Sequence, residues 1–477
     1  MNIGNDVRQK PPAESGIEGL DELVKGLPRG GLIVISGSPG TGKTAMAASF
    51  IYEGALRYGE PGVYASLIED KRRFYSYMRG FGYDFEKLGD RGLFRYLELP
   101  TLLSPAVGSL TNTIIEEVEK LQAKRLVVDS YTALNDMFKS RSEARSFLHT
   151  FFSKIVKSLG CTTLLIREES SADEKHEHGF EEFIADGIIH LKAGRLEGKL
   201  IRELTILKMR GSPVENPDAC FTLHQGFKIL PPTRITIPEK PVSFKPPPDP
   251  AGGYTSGIPD LDRIIGGFPN RSTILLEADP RITPLELLFI EGPGIASRIH
   301  KEMPCICIPP GGMISEDLKN FIKIYGLSDR QIEEYLKLPF EAVEVPASMT
   351  AVKASSERMD QIFERLREYV SAIAREYRKP PIRLIGVDKL ARIFGERLVD
   401  VAYQGVDNTK KYGGLLIWTL KPTYPWISGR LAPLADIHLK ITRRHGCLLL
   451  YGIKPRTPLY AIRFEEGKMP PKLIPIM

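Results

Sequence analysis

Along the first half of the chain, short apolar runs alternate with longer stretches in which apolar and polar residues are mixed. Short continuous apolar runs predict buried strands, and the stretches between them have helical periodicity. Strands that alternate with amphipathic helices indicate a parallel sheet covered on both faces. The apolar runs in 186–229 predict an antiparallel extension at the sheet edge. The predicted elements are strand 32–36, helix 43–58, strand 62–68, helix 70–80, helix 108–122, strand 125–129, helix 141–159 and strand 161–166.

The second half of the chain repeats this order. SGIEGLDELVKGLP at 15–28 aligns without gaps with SGIPDLDRIIGGFP at 256–269, and an apolar strand follows each. The segment 230–253 is rich in proline, which resists helix and sheet and predicts a semi-rigid spacer with a domain boundary near residue 245. We therefore predict two tandem α/β domains. The predicted divisions are an N-terminal tail at 1–14, a first domain at 15–232, a linker at 233–253 and a second domain at 254–477.

Composition excludes few functions. The chain has 477 residues with 65 basic and 59 acidic side chains, a net charge of +6 that does not by itself indicate a nucleic-acid-binding protein. Five cysteines in so long a chain do not indicate a disulfide framework. No stretch approaches the roughly 20 apolar residues of a membrane helix, and the N-terminus lacks the apolar core of a signal peptide. We expect a cytoplasmic protein.

The segment GSPGTGKT carries the clearest chemistry. It fits the pattern G-x-x-x-x-G-K-[ST], follows an apolar strand and opens a helix, as a phosphate-binding loop does. Backbone N–H groups would cradle phosphates, Lys43 would reach the β- and γ-phosphates of ATP, and Thr44 would ligate Mg²⁺. A glycine-rich turn with a chance lysine is the competing interpretation. The predicted nucleotide-binding residues are Gly37, Ser38, Pro39, Gly40, Thr41, Gly42, Lys43 and Thr44.

Hydrolysis of ATP needs carboxylates as well. Asp129 ends the buried strand RLVVD and is predicted to hold the Mg²⁺ shell, although a lone aspartate at a strand end is often a helix cap. Glu69 and Asp70 follow the strand VYASLI, and either could polarise the attacking water. We favour Glu69. The alternative is that Asp70 caps the next helix while Glu69 is solvated.

Together these motifs resemble the KaiC-like branch of the RecA superfamily. SGIEGLDELVKGLPRGGLIVISGSPGTGKT is similar to that family's opening, and RLVVDSYTAL, GFEEFIADGIIHL and LKMRGSP are similar to its later landmarks. The resemblance implies tandem RecA-like domains in a hexameric ring ATPase with a site at each subunit interface. It also implies that Lys208 and Arg210 reach the neighbouring subunit's γ-phosphate as an arginine finger does. The competing interpretation is a pair of solvated residues on an exposed strand.

The sequence departs from the family pattern at two places in the first half. Ile68 stands where the family often has the first of two glutamates, so hydrolysis is expected to be slow or to rely on Glu69. Val214 stands where a histidine often follows the K-x-R segment.

The second half lacks the phosphate-binding loop. Ala278–Leu285, ADPRITPL, aligns with Gly37–Thr44 but has no glycine and no Lys-Ser/Thr pair, and its two prolines remove backbone donors. Asp388 and the K-x-R pair Lys454 and Arg456 remain, and we interpret them as vestigial or structural. The second domain is therefore predicted not to hydrolyse ATP.

The loop 167–182, REESSADEKHEHGFEE, stands where recombinases of this superfamily present loops to DNA. Its seven acidic residues against two basic ones would repel a phosphate backbone. Nucleic acid is therefore not the favoured partner. His176 and His178 in this loop could belong to a metal cluster, but a solvated loop is the favoured interpretation.

Three functional hypotheses follow. The first is a ring-forming, Mg-dependent ATPase with slow turnover in its first domain and an inert second domain that stabilises the ring or presents a surface to a protein partner. The second is an ATP-gated scaffold that assembles without hydrolysis and docks a signalling partner. The third, which the acidic loop argues against, is a DNA-dependent motor or recombinase.

Overall fold

The computed structural model describes residues 11–99, 107–132, 143, 149, 155, 158–169, 184–339, 356–421 and 425–477. The chain divides into two compact units, Met1–Pro232 together with Pro475–Met477, and Thr233–Ile474. Most of the predicted helix 141–159 and the loop residues 170–183, which include His176 and His178, lie outside the described residues.

The first unit is built around one mixed sheet. Among the described residues it has nine strands in the order β3-β2-β4-β5-β1-β6-β7-β8-β9, of which β1–β6 are parallel and β7–β9 extend the edge in antiparallel fashion. This confirms the predicted fold class. The strands are β1 (Leu32–Gly37), β2 (Gly62–Ser66), β3 (Phe94–Glu98), β4 (Arg125–Asp129), β5 (Thr162–Glu168), β6 (Gly187–Leu196), β7 (Lys199–Met209), β8 (Asp218–Thr222) and β9 (Lys228–Leu230).

Apolar clusters cover both faces of this sheet. Ile33 and Ile35 of β1 belong to the cluster on one face, whereas Leu32 and Val34 belong to the cluster on the other. Alternate residues of a strand point to opposite faces, so a strand buried on both sides needs a continuous apolar run. The described helices of the unit are α1 (Leu20–Val24), α2 (Lys43–Tyr58), α3 (Lys71–Gly80), α4 (Phe85–Asp90) and α5 (Val107–Leu121).

The second unit repeats the same sheet topology. Its nine-stranded sheet, counted over the described residues, has the order β14-β13-β15-β16-β12-β17-β18-β19-β20, which matches the first sheet position by position. The internal repeat inferred from the sequence therefore extends to the topology. Two short strands, β10 (Gly253–Tyr254) and β11 (Phe268–Pro269), form a separate two-stranded sheet. The nine strands of the large sheet are β12 (Ser272–Ala278), β13 (Cys305–Ile308), β14 (Leu336–Lys337), β15 (Ile382–Gly386), β16 (Leu415–Leu420), β17 (Ile437–Arg444), β18 (Cys447–Lys454), β19 (Tyr460–Glu465) and β20 (Lys468–Pro475).

The Pro-rich segment packs onto the second unit. Phe244 lies in an apolar core cluster of that unit, and Asp249 forms ion pairs with Arg298 and Lys301 at 3.0 Å each. Residues 233–252 form no helix or strand but are anchored to the second unit. The helices of the unit are α6 (Pro259–Ile265), α7 (Pro284–His300), α8 (Ser315–Ile322), α9 (Asp329–Tyr335), α10 (Ser356–Tyr377), α11 (Val387–Phe394), α12 (Leu398–Tyr412) and α13 (Pro425–Leu431).

None of the helices in the described part of the chain combines the length and apolar character needed to span a bilayer. All five cysteines are buried, and none of them forms a disulfide.

Candidate functional site

The loop between β1 and α2 curls around its own backbone. Gly37 has φ 147°, and a Cβ there would lie 2.3 Å from the carbonyl oxygen of Leu191, so only glycine fits. Gly42, with φ 105°, precedes α2, and no side chain among the described residues caps its first turn. The first N–H groups of α2 therefore remain available to an anion at this end of the sheet.

Lys43 lies inside this loop. Its Nζ donates to the carbonyl oxygens of Gly37 at 2.7 Å and Ser38 at 2.9 Å, and only 6% of the residue is exposed. Burial lowers the pKa of Lys43, and nearby carboxylates, Glu168 first among them, oppose that change. The ammonium group is thus held where the loop closes on itself.

Thr44 and Asp129 meet beside the loop. The hydroxyl of Thr44 donates to Oδ2 of Asp129 at 3.1 Å, and the hydroxyl of Tyr64 donates to the same oxygen at 2.6 Å. Burial raises the pKa of Asp129, while the two hydrogen bonds favour its ionised form. Burial, followed by the charge of Asp129, raises the pKa of Tyr64 well above its usual value, so its hydroxyl stays a donor.

The donor set at this point suits Mg²⁺. Hydroxyl and carboxylate oxygens are hard ligands, and Mg²⁺ usually takes only one or two carboxylates from the protein and completes its shell with water and phosphate. No cluster of three or more His, Cys, Asp or Glu side chains in the described residues is arranged as a self-sufficient metal site. Thr44 and Asp129 therefore fit a magnesium ion that arrives with a nucleotide.

The two acidic residues after β2 have different surroundings. Oδ1 of Asp70 accepts a hydrogen bond from the backbone N–H of Arg73 at 3.0 Å and caps α3. Glu69 has no such capping contact, and its backbone carbonyl accepts from the hydroxyl of Tyr96 at 2.8 Å. Burial raises the pKa of Glu69, and repulsion from Asp129 adds to that rise. The carboxylate of Glu69 is thus within electrostatic reach of the Asp129 centre.

Two carboxylates at the end of β5 were not among the predicted site residues. Glu168 pairs in register with Gly37, and the N–H of Glu169 donates to the carbonyl oxygen of Gly37 at 3.2 Å. Oε2 of Glu169 lies 3.5 Å from Nδ1 of His190, which also contacts the hydroxyl of Ser36 at 3.0 Å. The signal for these residues is the parallel strand 161–166, whose carboxyl end must lie beside the loop.

Arg202 of β7 also contacts the loop from outside. Its guanidinium donates to the carbonyl oxygens of Gly40 at 3.1 Å and Thr41 at 3.2 Å. These bonds hold the outer half of the loop, and nothing in the local sequence pattern indicated them.

Proteins of one known family resemble the part of the chain that contains this loop. The family described as "ATPase: KaiC" matches residues 13–234. The UPF0273 protein of Thermotoga maritima is 34% identical over 214 residues, which are 42% of this chain and 87% of that protein. The chain belongs to the KaiC-like family.

Longer KaiC relatives match as well. The circadian clock oscillator protein KaiC of Synechococcus elongatus is 29% identical over 289 residues, 58% of this chain and 54% of that protein. This chain thus spans about half the length of the circadian clock relatives it matches. A crystal structure of a KaiC-like protein from Pyrococcus horikoshii OT3 is 34% identical and covers 46% of this chain and 99% of its own, with a TM-score of 0.42. Membership in the KaiC-like family supports the assignment of the chain to the ATP-binding P-loop ATPases.

The K-x-R pair of this KaiC-like chain lies far from its own loop. Met209, between Lys208 and Arg210, pairs with Gly187 of β6, which pairs with Ile33 at the amino end of β1. The loop begins four residues further along β1, about 13 Å away at the rise of a strand. Arg210 forms an ion pair with Asp186 at 3.2 Å at this end. The structure therefore does not bring Lys208 and Arg210 to the loop of the same chain.

In the second unit, side chains of the loop between β12 and α7 occupy the start of the helix. Thr283 caps α7 and forms a capping box with Glu286, and Pro284 takes the place of Lys43. The carboxylate of Asp279 holds Arg281 at 2.7 Å, and hydrogen bonds from that guanidinium lower the pKa of Asp279 to about 2. Carboxylates thus stand at the helix terminus that carries the predicted phosphate-binding groups in the first unit.

Asp388 differs from Asp129 in position as well. β15 ends at Gly386, so Asp388 lies in the first turn of α11 rather than at the predicted strand end. Its Oδ2 accepts from the N–H of Gly311 at 2.6 Å.

Proposed function

We propose that the first unit binds Mg·ATP in the Gly37–Thr44 loop and hydrolyses it slowly within a ring of identical subunits. The observation that carries this proposal is the meeting of Lys43, Thr44 and Asp129 at the carboxyl end of β1. The ammonium group of Lys43 would contact the β- and γ-phosphates, and Thr44 and Asp129 would hold Mg²⁺, which neutralises phosphate charge.

Glu69 is the proposed water-activating carboxylate. Its raised pKa makes it a better proton acceptor than an ordinary surface glutamate once it is ionised. Asp70 is already engaged as the cap of α3, which leaves Glu69 as the freer of the two acids. The single glutamate beside an exposed Ile68 is the reason to expect slow turnover.

Lys208 and Arg210 are proposed to act on the nucleotide of the neighbouring subunit. Their distance from the loop of the same chain argues against a direct role there, and positive charge supplied across an interface stabilises the phosphoryl transition state. This role requires a ring or another closed assembly in which one subunit's β7 faces the next subunit's loop.

A complementation experiment tests this arrangement. Lys43→Ala disables the loop but keeps Arg210, and Arg210→Ala does the reverse. We expect each variant alone to release little phosphate and mixed assemblies to recover activity, because Lys43→Ala subunits supply Arg210 to intact loops. Lys192→Ala on the adjacent strand β6 is the matched control and should keep wild-type turnover. Mixed assemblies no more active than the separate variants would contradict a role across the interface.

The second unit is proposed to be catalytically inert and to stabilise the assembly or present a surface to a protein partner. Its loop has no lysine at the position of Lys43, and its helix terminus is capped by Thr283 and Glu286. Phosphate release by an otherwise intact chain carrying Lys43→Ala would contradict this proposal.

An ATP-gated scaffold is the second candidate, and Ile68 favours it. Its side chain is 65% exposed at the position where the family often carries a glutamate. Measuring solution mass and phosphate release together separates the two functions. Assembly on addition of Mg·ATP with turnover supports the ATPase, and the same assembly without phosphate release supports the scaffold.

A further inference from the structure

The second unit contains a large cavity that the proposed ATPase does not use. It has a volume of about 880 Å³ and lies between α10, α12 and the sheet face formed by β13, β15 and β16. Defects in protein packing rarely exceed the size of a water molecule, whereas sites for small molecules commonly have volumes of about 300–1,000 Å³. The cavity is therefore of ligand size.

Most of the cavity wall is apolar. The wall residues include Phe363, Leu366 and Val370 from α10 and Ile306, Ile385 and Trp418 from the strands. Phe363 and Leu366 are only partly buried although they lie on the inward face of α10. In the first unit the corresponding face is filled, since Leu110, Ile114 and Val118 of α5 are buried against the strands. An apolar ligand would complete in the second unit the packing that the first unit makes by itself.

One end of the cavity is basic. Arg375, Arg378, Lys379 and Arg383 line it where α10 ends and β15 begins, against the single acidic lining residue Glu368. Arg383 is the most enclosed of these, and its guanidinium contacts the hydroxyl of Thr409. Burial lowers the pKa of Arg383 to about 10. Among the described residues no carboxylate forms an ion pair with Arg383, and a partly buried cation beside an apolar wall without a counter-ion is costly.

From this combination we propose that the cavity binds one long-chain carboxylate, with its hydrocarbon chain along the apolar wall and its carboxylate at Arg383, Arg378 and Lys379. The carboxylate supplies the missing counter-charge, and the guanidinium of Arg383 can donate two parallel hydrogen bonds to it. The apolar wall offers few polar groups to a sugar or a base, which argues against a nucleotide as the ligand. The site is independent of the Gly37–Thr44 loop.

Trp418 provides a direct reporter of occupancy. The chain has two tryptophans, and Trp418 lines the cavity. We would add dibromostearic acid to lipid-stripped full-length protein, because bromine quenches tryptophan at short range, and use native mass spectrometry with oleic acid to count bound molecules. We expect saturable quenching and one oleate per chain. Inorganic phosphate should not displace it, since phosphate lacks the hydrocarbon chain.

Two variants and a matched control locate the ligand. Arg383→Gln removes the partly buried charge and should weaken binding about tenfold or more, since hydrogen bonds to charged groups are worth more than neutral ones. Ala374→Phe fills the cavity from α10 and should abolish binding while leaving the circular dichroism spectrum and ATP turnover unchanged. Arg365→Gln removes an equal charge from an exposed position of α10 outside the lining and should have no effect.

Four results would overturn the proposal. The first three are folded wild-type protein that takes up no oleate, Ala374→Phe protein that binds oleate as tightly as wild type, and Arg365→Gln protein that loses as much affinity as Arg383→Gln. Displacement of oleate by inorganic phosphate alone would also overturn it, because the basic end would then be an anion site without a hydrocarbon-binding cavity.

Discussion

The two loops at the carboxyl ends of β1 and β12 occupy the same point in the same topology and differ in almost every chemical respect. The first loop has glycines with positive φ at positions 37, 40 and 42, and the side chain of Lys43 donates to its backbone. The helix that follows it begins without a side-chain cap. The second has Asp279, Arg281 and the Thr283–Glu286 capping box in that place. The apolar strands are enough to preserve the fold, whereas a phosphate site depends on a few residues that the second unit has replaced.

The largest expected effect separates the two loops directly. Lys43→Ala should lower phosphate release by about 10³-fold, as loss of a preorganised charge at a transition state does. Arg281→Ala, which removes the cation of the second loop, should leave phosphate release at the wild-type level. Equal losses in the two variants would mean that both loops take part in turnover.

The next effect concerns the acid after β2. Glu69→Gln should lower kcat by about 10²-fold or more while Mg·ATP affinity is kept, because a general base contributes to the chemical step rather than to binding. Asp70→Asn is the control, since asparagine also caps a helix. If Asp70→Asn lowers kcat and Glu69→Gln does not, the water-activating role belongs to Asp70.

One pH dependence of stability should arise in the second unit, from a single buried glutamate. Glu291 of α7 occupies the position that Phe50 has in α2, and burial raises the pKa of Glu291 from 4.5 to about 7. Between these pH values the unfolded chain releases a proton that the folded chain keeps. The free energy of unfolding should therefore fall by about 3 kcal/mol as pH rises through this range and level off above it.

Tryptophan fluorescence measures this change in one unit, because Trp418 and Trp426 both belong to the second. Urea unfolding of Glu291→Gln should show a higher stability than wild type above pH 7 and little pH dependence. An unchanged pH profile in the variant would assign the titration to another group.

The smallest expected effect tests the closed helix terminus of the second unit. Thr283→Ala removes the side chain that accepts from the N–H of Glu286 and should cost about 1 kcal/mol in the tryptophan-detected unfolding of that unit. No loss of stability would indicate that the terminus is not held by this cap.

Much of the fold was predictable because it depends on local patterns. Continuous apolar runs gave the parallel strands, and the repeat at 15–28 and 256–269 predicted that the second sheet has the topology of the first. The strand and helix around Gly37–Thr44 were predicted for the same reason. The attachment of the Pro-rich segment to the second unit could not be predicted in this way, because it depends on the packing of Phe244 and on the ion pairs of Asp249.

The contacts around the candidate site could not be predicted from local patterns, because they depend on strand register and on residues far apart in the sequence. Tyr64 contacts Asp129 across the sheet, and Arg202 contacts the loop from a strand more than 150 residues away in sequence. Glu168 and Glu169 were interpreted only as part of an acidic loop, although they follow the predicted strand 161–166, because the β1–β5 register that places them beside Gly37 is not a local pattern. The cavity under α10 likewise needs packing information that periodicity does not contain.

We propose that the chain has a single nucleotide site, in its first unit. Isothermal titration of full-length protein with Mg·ATP in the absence of turnover, in the Glu69→Gln background, tests it most directly. We predict one ATP bound per chain, and none after Lys43→Ala is added to that background. Two ATP molecules per chain, or one that survives Lys43→Ala, would contradict the claim by giving the second unit a nucleotide site of its own.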